Sequence, residues 1–262
     1  MGIRHLMGKR VLVTGAASGI GRATALAFAG RGADLVLCDL DGAVLEPIRD
    51  AAAAMGVACT THGVDVADEA AMQSFATAVH TQGGAIDILV NNTGIGYLGA
   101  CSDTPIDEWH RSLGIEVMGV VHALRCFLPL MHDVGGIRRV VNVASPAGIA
   151  FAPDMSAYAT SKSAVIGLSE AVSLELRLLE SGVGITVICP DVPRPGAGPQ
   201  ALHEYNGVDA QVVAEIIVDA VMNGRDIVRV GPFAKPLYHL RRFARALLRQ
   251  VLLVDTRNPG YC

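Results

Sequence analysis

Thr14-Gly15-Ala16-Ala17-Ser18-Gly19-Ile20-Gly21 is the stretch that decides the fold of this chain. It follows a short apolar run, Arg10 to Thr14, and opens straight into an Ala-rich segment from Ile20 to Gly30. The glycines allow a tight turn, and they let backbone N–H groups and a helix N-terminus face a pyrophosphate. An ordinary turn with a glycine packed on a sheet uses the same residues. Here, however, strand, loop and helix stand in the order that dinucleotide binding requires.

Outward from that loop the chain alternates β-branched runs with amphipathic Ala-rich segments. Strands are predicted at Arg10 to Thr14, Asp34 to Asp39, Val57 to Val64, Ile86 to Asn91, Arg139 to Ala144, Ile185 to Cys189 and, more weakly, Asp226 to Val230. Helices are predicted at Ile20 to Gly30, Gly42 to Met55, Glu69 to Thr81, Ile106 to His132, Met155 to Glu180 and Asp209 to Asn223. Several strands are apolar throughout, as parallel strands covered on both faces must be. Right-handed crossovers then give an α/β fold, a doubly wound parallel sheet of about seven strands with helices on both faces. No repeat or linker divides the chain, so residues 1–230 read as one dinucleotide-binding domain and 231–262 as its C-terminal extension. The Pro-rich segment from Pro190 to Gly198 follows a strand, on the edge where such sheets bind ligands.

Composition excludes several classes. With 262 residues, 18% charged, 29 Gly and 12 Pro, the chain is neither disordered nor collagenous. A net charge of −4 gives no general case for nucleic acid. The six cysteines show no CxxC pairing and the eight histidines no ligand spacing, so no metal site is expected. Met1 to Arg10 lacks the apolar core of a signal peptide, and no run approaches 20 uninterrupted apolar residues. Reduced thiols and a cytoplasmic setting are the expectation. From Gly231 to Cys262, by contrast, six basic residues face one acid, so this tail carries +5 and the remainder −9. Arg241, Arg245 and Arg249 recur on one helical face there. Such a helix can lie on an anionic membrane surface, or cover a cleft or a subunit interface.

Asp39 ends the second strand, 24 residues after Gly15. A carboxylate there can accept both ribose hydroxyls and repel a 2′-phosphate, favouring NAD over NADP; it can also be a plain helix cap alongside Asp41. Asp65, after the third strand, can meet an adenine amino group or cap the helix that begins near Asp68.

With Tyr158-Ala159-Thr160-Ser161-Lys162 added, the chain resembles the classical short-chain dehydrogenase/reductase family from about residue 9 to about 230. The motifs are the loop Thr14 to Gly21, then Asn91-Asn92-Thr93-Gly94 with Thr in place of the usual Ala, then Val141 to Ser145, and finally the Tyr and Lys. The resemblance implies an oxidoreductase interconverting a secondary alcohol and a ketone, usually a homodimer or homotetramer. It makes Ser145, Tyr158 and Lys162 catalytic. It assigns cofactor contact to Gly15, Ser18, Gly19, Ile20, Gly21, Asp39, Asp65, Val66, Asn91, Thr93, Gly94, Tyr158, Lys162, Pro190, Asp191 and Val192. Physically, Tyr158 and Lys162 stand at i, i+4 and share one helix face. A free phenol has a pKa near 10, and an ammonium about 4 Å away at an effective dielectric near 20 is worth roughly 4 kcal/mol, about three pKa units, toward phenolate.

Three features depart from the family. Glu116 occupies the place of a catalytic Asn. It is read as a fourth catalytic residue that either replaces the proton relay or weakens it by pairing with Lys162; the bland reading turns it to solvent. Asp191 replaces a Gly beside the nicotinamide, and Pro195 falls where a Thr is customary. The basic tail is the third. Ile95, Tyr97, Pro146, Ile149, Phe151 and the apolar part of the tail suggest an apolar substrate, and Trp109 is placed either in the cleft or in the core. The competing readings are a dinucleotide-binding scaffold or sensor with little turnover, and a reductase of acyl-linked β-keto intermediates, which would call for a basic residue near Ser18 or after Asp39.

Overall fold

The computed structural model describes residues 1–151, 153–190 and 208–231. Seven parallel strands form one sheet: β1 (Arg10–Thr14), β2 (Asp34–Asp39), β3 (Cys59–Gly63), β4 (Ile88–Asn91), β5 (Arg138–Val143), β6 (Val183–Pro190) and β7 (Ile227–Val230). Their order is β3-β2-β1-β4-β5-β6-β7. The order reverses between β1 and β4, and there a doubly wound sheet opens a crevice at the carboxyl ends of its strands.

Alternation along each strand sends side chains to two separate cores. Val11, Val13, Leu35, Leu37, Ile88 and Val90 pack under α1 (Gly19–Ala29), α2 (Glu46–Ala54) and α7 (Ala210–Asn223). Leu12, Val36, Leu89 and Val140 face α3 (Glu69–Gly83), α5 (Gly119–Asp133) and α6 (Ser156–Leu178). Both sets are essentially solvent-free, which explains why the strands read as unbroken apolar runs.

Two predicted helices form with internal changes of winding. The segment read as Gly42 to Met55 opens with a 3-10 turn, Gly42–Leu45, before α2, because Pro47 fits only the first turn of the α-helix. The segment read as Ile106 to His132 forms as α4 (Ile106–Leu113), a π turn (Gly114–Met118) and α5, without interruption. That 28-residue stretch is long and apolar enough to cross a bilayer by length and composition. In the fold it lies on the sheet and buries Glu116 and His122. Strand edges differ from expectation by two residues at most: β3 starts at Cys59 rather than Val57, β4 at Ile88 rather than Ile86 and β6 at Val183 rather than Ile185.

Candidate active site

At the end of β1 the loop turns through Gly15, at φ +62, where a side chain would press on Thr93 Cα at 2.9 Å. Gly21, in the first turn of α1, sits directly on that loop, and a Cβ there would lie 2.1 Å from the Gly15 carbonyl oxygen. Ser18 is extended and its side chain gives α1 no cap, nor does the first turn hold an acid. The positive end of α1 is therefore presented to a cleft of about 890 Å³ with nothing of this kind to neutralise it. These are the properties a pyrophosphate requires.

The acids beside the loop take distinct places. Asp39 Oδ2 accepts from Ala17 N at 2.9 Å and Oδ1 from Leu40 N at 2.8 Å, so the carboxylate is braced against the loop at the cleft edge. Capping of the following 3-10 turn falls to Asp41, through Ala43 N. Asp65 accepts from Ala67 N at 2.9 Å and lines the cleft, while Asp68 caps α3. The two acids whose alternative reading was a cap thus both stand clear of the capping positions.

Most of the predicted cofactor residues meet in this one cleft. Gly15, Ser18, Gly19 and Ile20 line its floor. Val66, Thr93 and Gly94 line its walls, and Tyr158, Lys162 and Pro190 its far end. Gly21 and Asn91 do not line it. Gly21 serves the close packing just described. Asn91 is buried and donates from Nδ2 to Asn142 Oδ1 at 2.8 Å, and Asn142 donates on to Ser169 Oγ at 2.8 Å, which ties β4 to β5 and α6. The cleft-side role belongs to Asn92, the second amide of the motif, which is absent from the expected cofactor contacts. Its Nδ2 donates to the Thr14 and Gly15 carbonyls at 3.1 and 3.0 Å, and Thr14 Oγ1 accepts from Asn92 N and Thr93 N. The signal was the doubled amide itself: neighbours on a strand point to opposite faces, so only one of the two can reach the loop.

The other side of the cleft is carried by β5, the π turn and α6. Ser145 follows β5 and its Oγ accepts from Ala147 N at 3.1 Å, shaping the turn Pro146–Gly148. Gly148 lies against the Lys162 backbone, where a Cβ would approach to 2.6 Å, so this turn can rest on α6. Tyr158 is half-buried and Lys162 buried, one turn apart. Lys162 Nζ donates to the Val143 carbonyl at 3.3 Å and lies 5.5 Å from the centroid of the Tyr158 ring.

Glu116 completes the cluster. It is 1% exposed, which removes the solvent-facing reading. Oε1 accepts from Ile95 N at 3.1 Å, and Oε2 lies 3.6 Å from Lys162 Nζ with no hydrogen-bond partner among the described residues. Burial pushes the Glu116 carboxyl above its ordinary range, and the Lys162 ammonium offsets only part of this. For Lys162 burial works against the charge, but the Glu116 carboxylate and the Tyr158 oxygen outweigh it and hold the ammonium above its ordinary value.

Some expected cleft residues lie elsewhere. Ile95 and Tyr97 line the cleft with Leu98 and Met155, whereas Pro146 and Ile149 are buried behind the Ser145 turn and Phe151 faces outward. Trp109 is half-buried outside the cleft, because α4 presents His110 and Arg111 to it instead. Asp191, Val192, Pro195 and the basic tail lie outside the described residues. Among the described residues no group of three or more His, Cys, Asp or Glu is placed to hold a metal ion.

Residues 9–197 match the short chain dehydrogenase family. A probable oxidoreductase, EphD, of Mycobacterium bovis is 37% identical over 260 residues, covering 91% of this chain and 44% of that protein. The chain thus spans less than half the length of that relative. A short chain dehydrogenase/reductase from Burkholderia phymatum, solved in complex with NAD, superposes with a TM-score of 0.87 at 31% identity, over 94% of this chain and 96% of the other. A metagenomic short-chain oxidoreductase solved with NADP gives a TM-score of 0.75 at 26% identity, over 87% and 100%.

Proposed function

This chain belongs to the short chain dehydrogenase family, and we propose that it is an NAD-preferring oxidoreductase that interconverts a secondary alcohol and its ketone. The observation that carries the reading is the convergence of Ser145, Tyr158 and Lys162 on the cleft into which α1 points its N-terminus. When bound there, the nicotinamide dinucleotide supplies or accepts the hydride.

Gly15, Ser18, Gly19 and Ile20 hold the pyrophosphate with backbone N–H groups. The braced Asp39 carboxylate accepts from the ribose hydroxyls and disfavours a phosphate at the 2′ position, which supports NAD although relatives bind either form. Ser145 Oγ already accepts from Ala147 N, so its own hydrogen is left to donate to the substrate oxygen. Tyr158 exchanges a proton with that oxygen. Lys162, held by the Val143 carbonyl, keeps positive charge beside the phenol and lowers the cost of negative charge on it. Ile95, Tyr97, Leu98 and Met155 favour an apolar substrate. Assembly as a homodimer or homotetramer is part of the same reading.

The experiment follows nicotinamide absorbance with NAD and NADP, in both directions, over a panel of apolar secondary alcohols and ketones. Wild type is expected to turn over with NAD in preference to NADP, and Tyr158→Phe to lose on the order of 10²-fold or more in kcat. Saturable NADH binding without turnover across the panel would replace this reading with that of a dinucleotide-binding scaffold or sensor.

A further inference from the structure

Glu116 is the one buried carboxylate among the described residues that the reaction above does not use. It reaches its place through the local winding of the helix. The π turn Gly114–Met118 adds a residue to one turn, and such turns occur frequently at functional sites. Glu116 lies at its middle and is received by the Ile95 N–H from the loop after β4. Gly94 leaves the space in between: a Cβ there would lie 3.2 Å from Lys162 Nζ and 3.6 Å from Glu116 Oε1. The carboxylate therefore has a built seat, and its second oxygen, without a hydrogen-bond partner among the described residues, faces the ammonium that serves Tyr158.

We propose that Glu116 is a positioning residue which, through its ion pair with Lys162, holds that ammonium over Tyr158 and tempers the positive field the phenol experiences, so that this charge pair sets the pH range of proton exchange. The proposal rests on the functional reading above. A lone buried ammonium at 5.5 Å from the ring centroid would draw the phenol toward phenolate with nothing to balance it. A carboxylate 3.6 Å from the ammonium cancels part of that field. The remaining groups facing the pair are few. Cys189 of β6 approaches Lys162, but burial pushes its thiol up to about 12, so it stays neutral and adds no field of its own. Ser145 and the Val143 carbonyl bring dipoles only. His110 and Arg111 of α4 line the same cleft and are more exposed.

The test separates the pair from turnover. Phenolate absorbance near 295 nm is titrated in the cofactor-free protein, taking wild type minus Tyr158→Phe to isolate Tyr158, and the same difference is measured in a Glu116→Gln background. The midpoint of phenolate formation is expected to fall by on the order of one pH unit in Glu116→Gln. Glu116→Asp, which keeps the charge, is expected to stay near the wild-type midpoint. In the active enzyme the acidic limb of the kcat profile for alcohol oxidation is expected to move the same way. An unmoved midpoint in Glu116→Gln would overturn the proposal, since Glu116 would then be neutral in the folded protein or act through packing alone; a raised midpoint would overturn it too, since Glu116 would then act by keeping the buried Lys162 charged and not by tempering its field. If Glu116→Gln does not fold, Glu116→Asn removes the same charge and is read identically. Because the titration needs neither substrate nor cofactor, its result stands whether or not the proposed alcohol chemistry is found.

Discussion

On the α1 side of the cleft the working groups are backbone: helix N–H groups, a glycine turn, and Asp39 held at the rim by the N–H groups of Ala17 and Leu40. On the α6 side they are side chains, Ser145, Tyr158, Lys162 and Glu116, of which all but Tyr158 are buried. In the proposed function the first side binds an anion with dipoles fixed by the fold and needs no titratable group except Asp39. The second, which moves a proton in the proposed function, places an ionisable pair out of water, where charges act strongly on one another. The same residue type shows the difference. Asp39 is a half-buried carboxylate at the cleft rim satisfied by two backbone donors, whereas Glu116 is a buried one balanced by an ammonium.

This contrast can be broken most severely on the backbone side. Gly21→Ala places a Cβ 2.1 Å from the Gly15 carbonyl oxygen, which belongs to the chain and cannot swing aside. The variant is expected to lose about 2 kcal/mol of folding stability by overpacking, and at least tenfold in NADH affinity as the loop is displaced. Chemical denaturation and a fluorescence titration measure both. A change confined to the rim is expected to act on selectivity alone. Asp39→Asn keeps the shape and removes the charge, and the ratio of kcat/KM for NAD over NADP is expected to fall roughly tenfold with folding stability nearly unchanged.

The smallest expected effect belongs to stability and sharpens the comparison from the buried side. The folded-state pKa of Glu116 is raised, so between the ordinary carboxylate value of 4.5 and that raised value the folded state binds more protons than the unfolded chain. Stability therefore declines as pH rises through this window. The contribution of Lys162, whose folded pKa is also raised, is fully present below 10.5 and is lost only as pH rises through its folded value. Urea denaturation from pH 4 to 8 is expected to show this decline in the stability difference between wild type and Glu116→Gln, the histidines His62 and His80, whose lowered pKa values act in the opposite sense, being common to both. Asp39→Asn, whose carboxylate lies at the rim, is expected to keep it.

The two sides were legible to different degrees. Loop, strand and helix order, Asp39, Tyr158 and Lys162 all stand where their spacing put them, because each depends on contacts within one βαβ unit or one helix turn. Asn91 and Asn92 illustrate the other case. The motif marked the pair, but which amide enters the core and which holds the loop depends on the face that β4 turns toward Thr14, and that is fixed by pairing with β1 and β5. Glu116 stood out as a departure in the sequence, with three fates open to it. Its burial follows from a π turn that helical periodicity of 3.6 does not announce, and its partner from an approach between the π turn, Gly94 and α6.

By itself the sequence determined the doubly wound sheet, the glycine loop and the residue types at the reacting end, because hydrophobic period, turn chemistry and i, i+4 spacing are local properties of the chain. The tertiary structure alone decided what each polar group faces. Asp39 is braced rather than capping, Asn92 rather than Asn91 grips the loop, and Glu116 is seated against Lys162, since these contacts join segments 22, 78 and 46 residues apart and exist only once the sheet and both helical layers have closed around them.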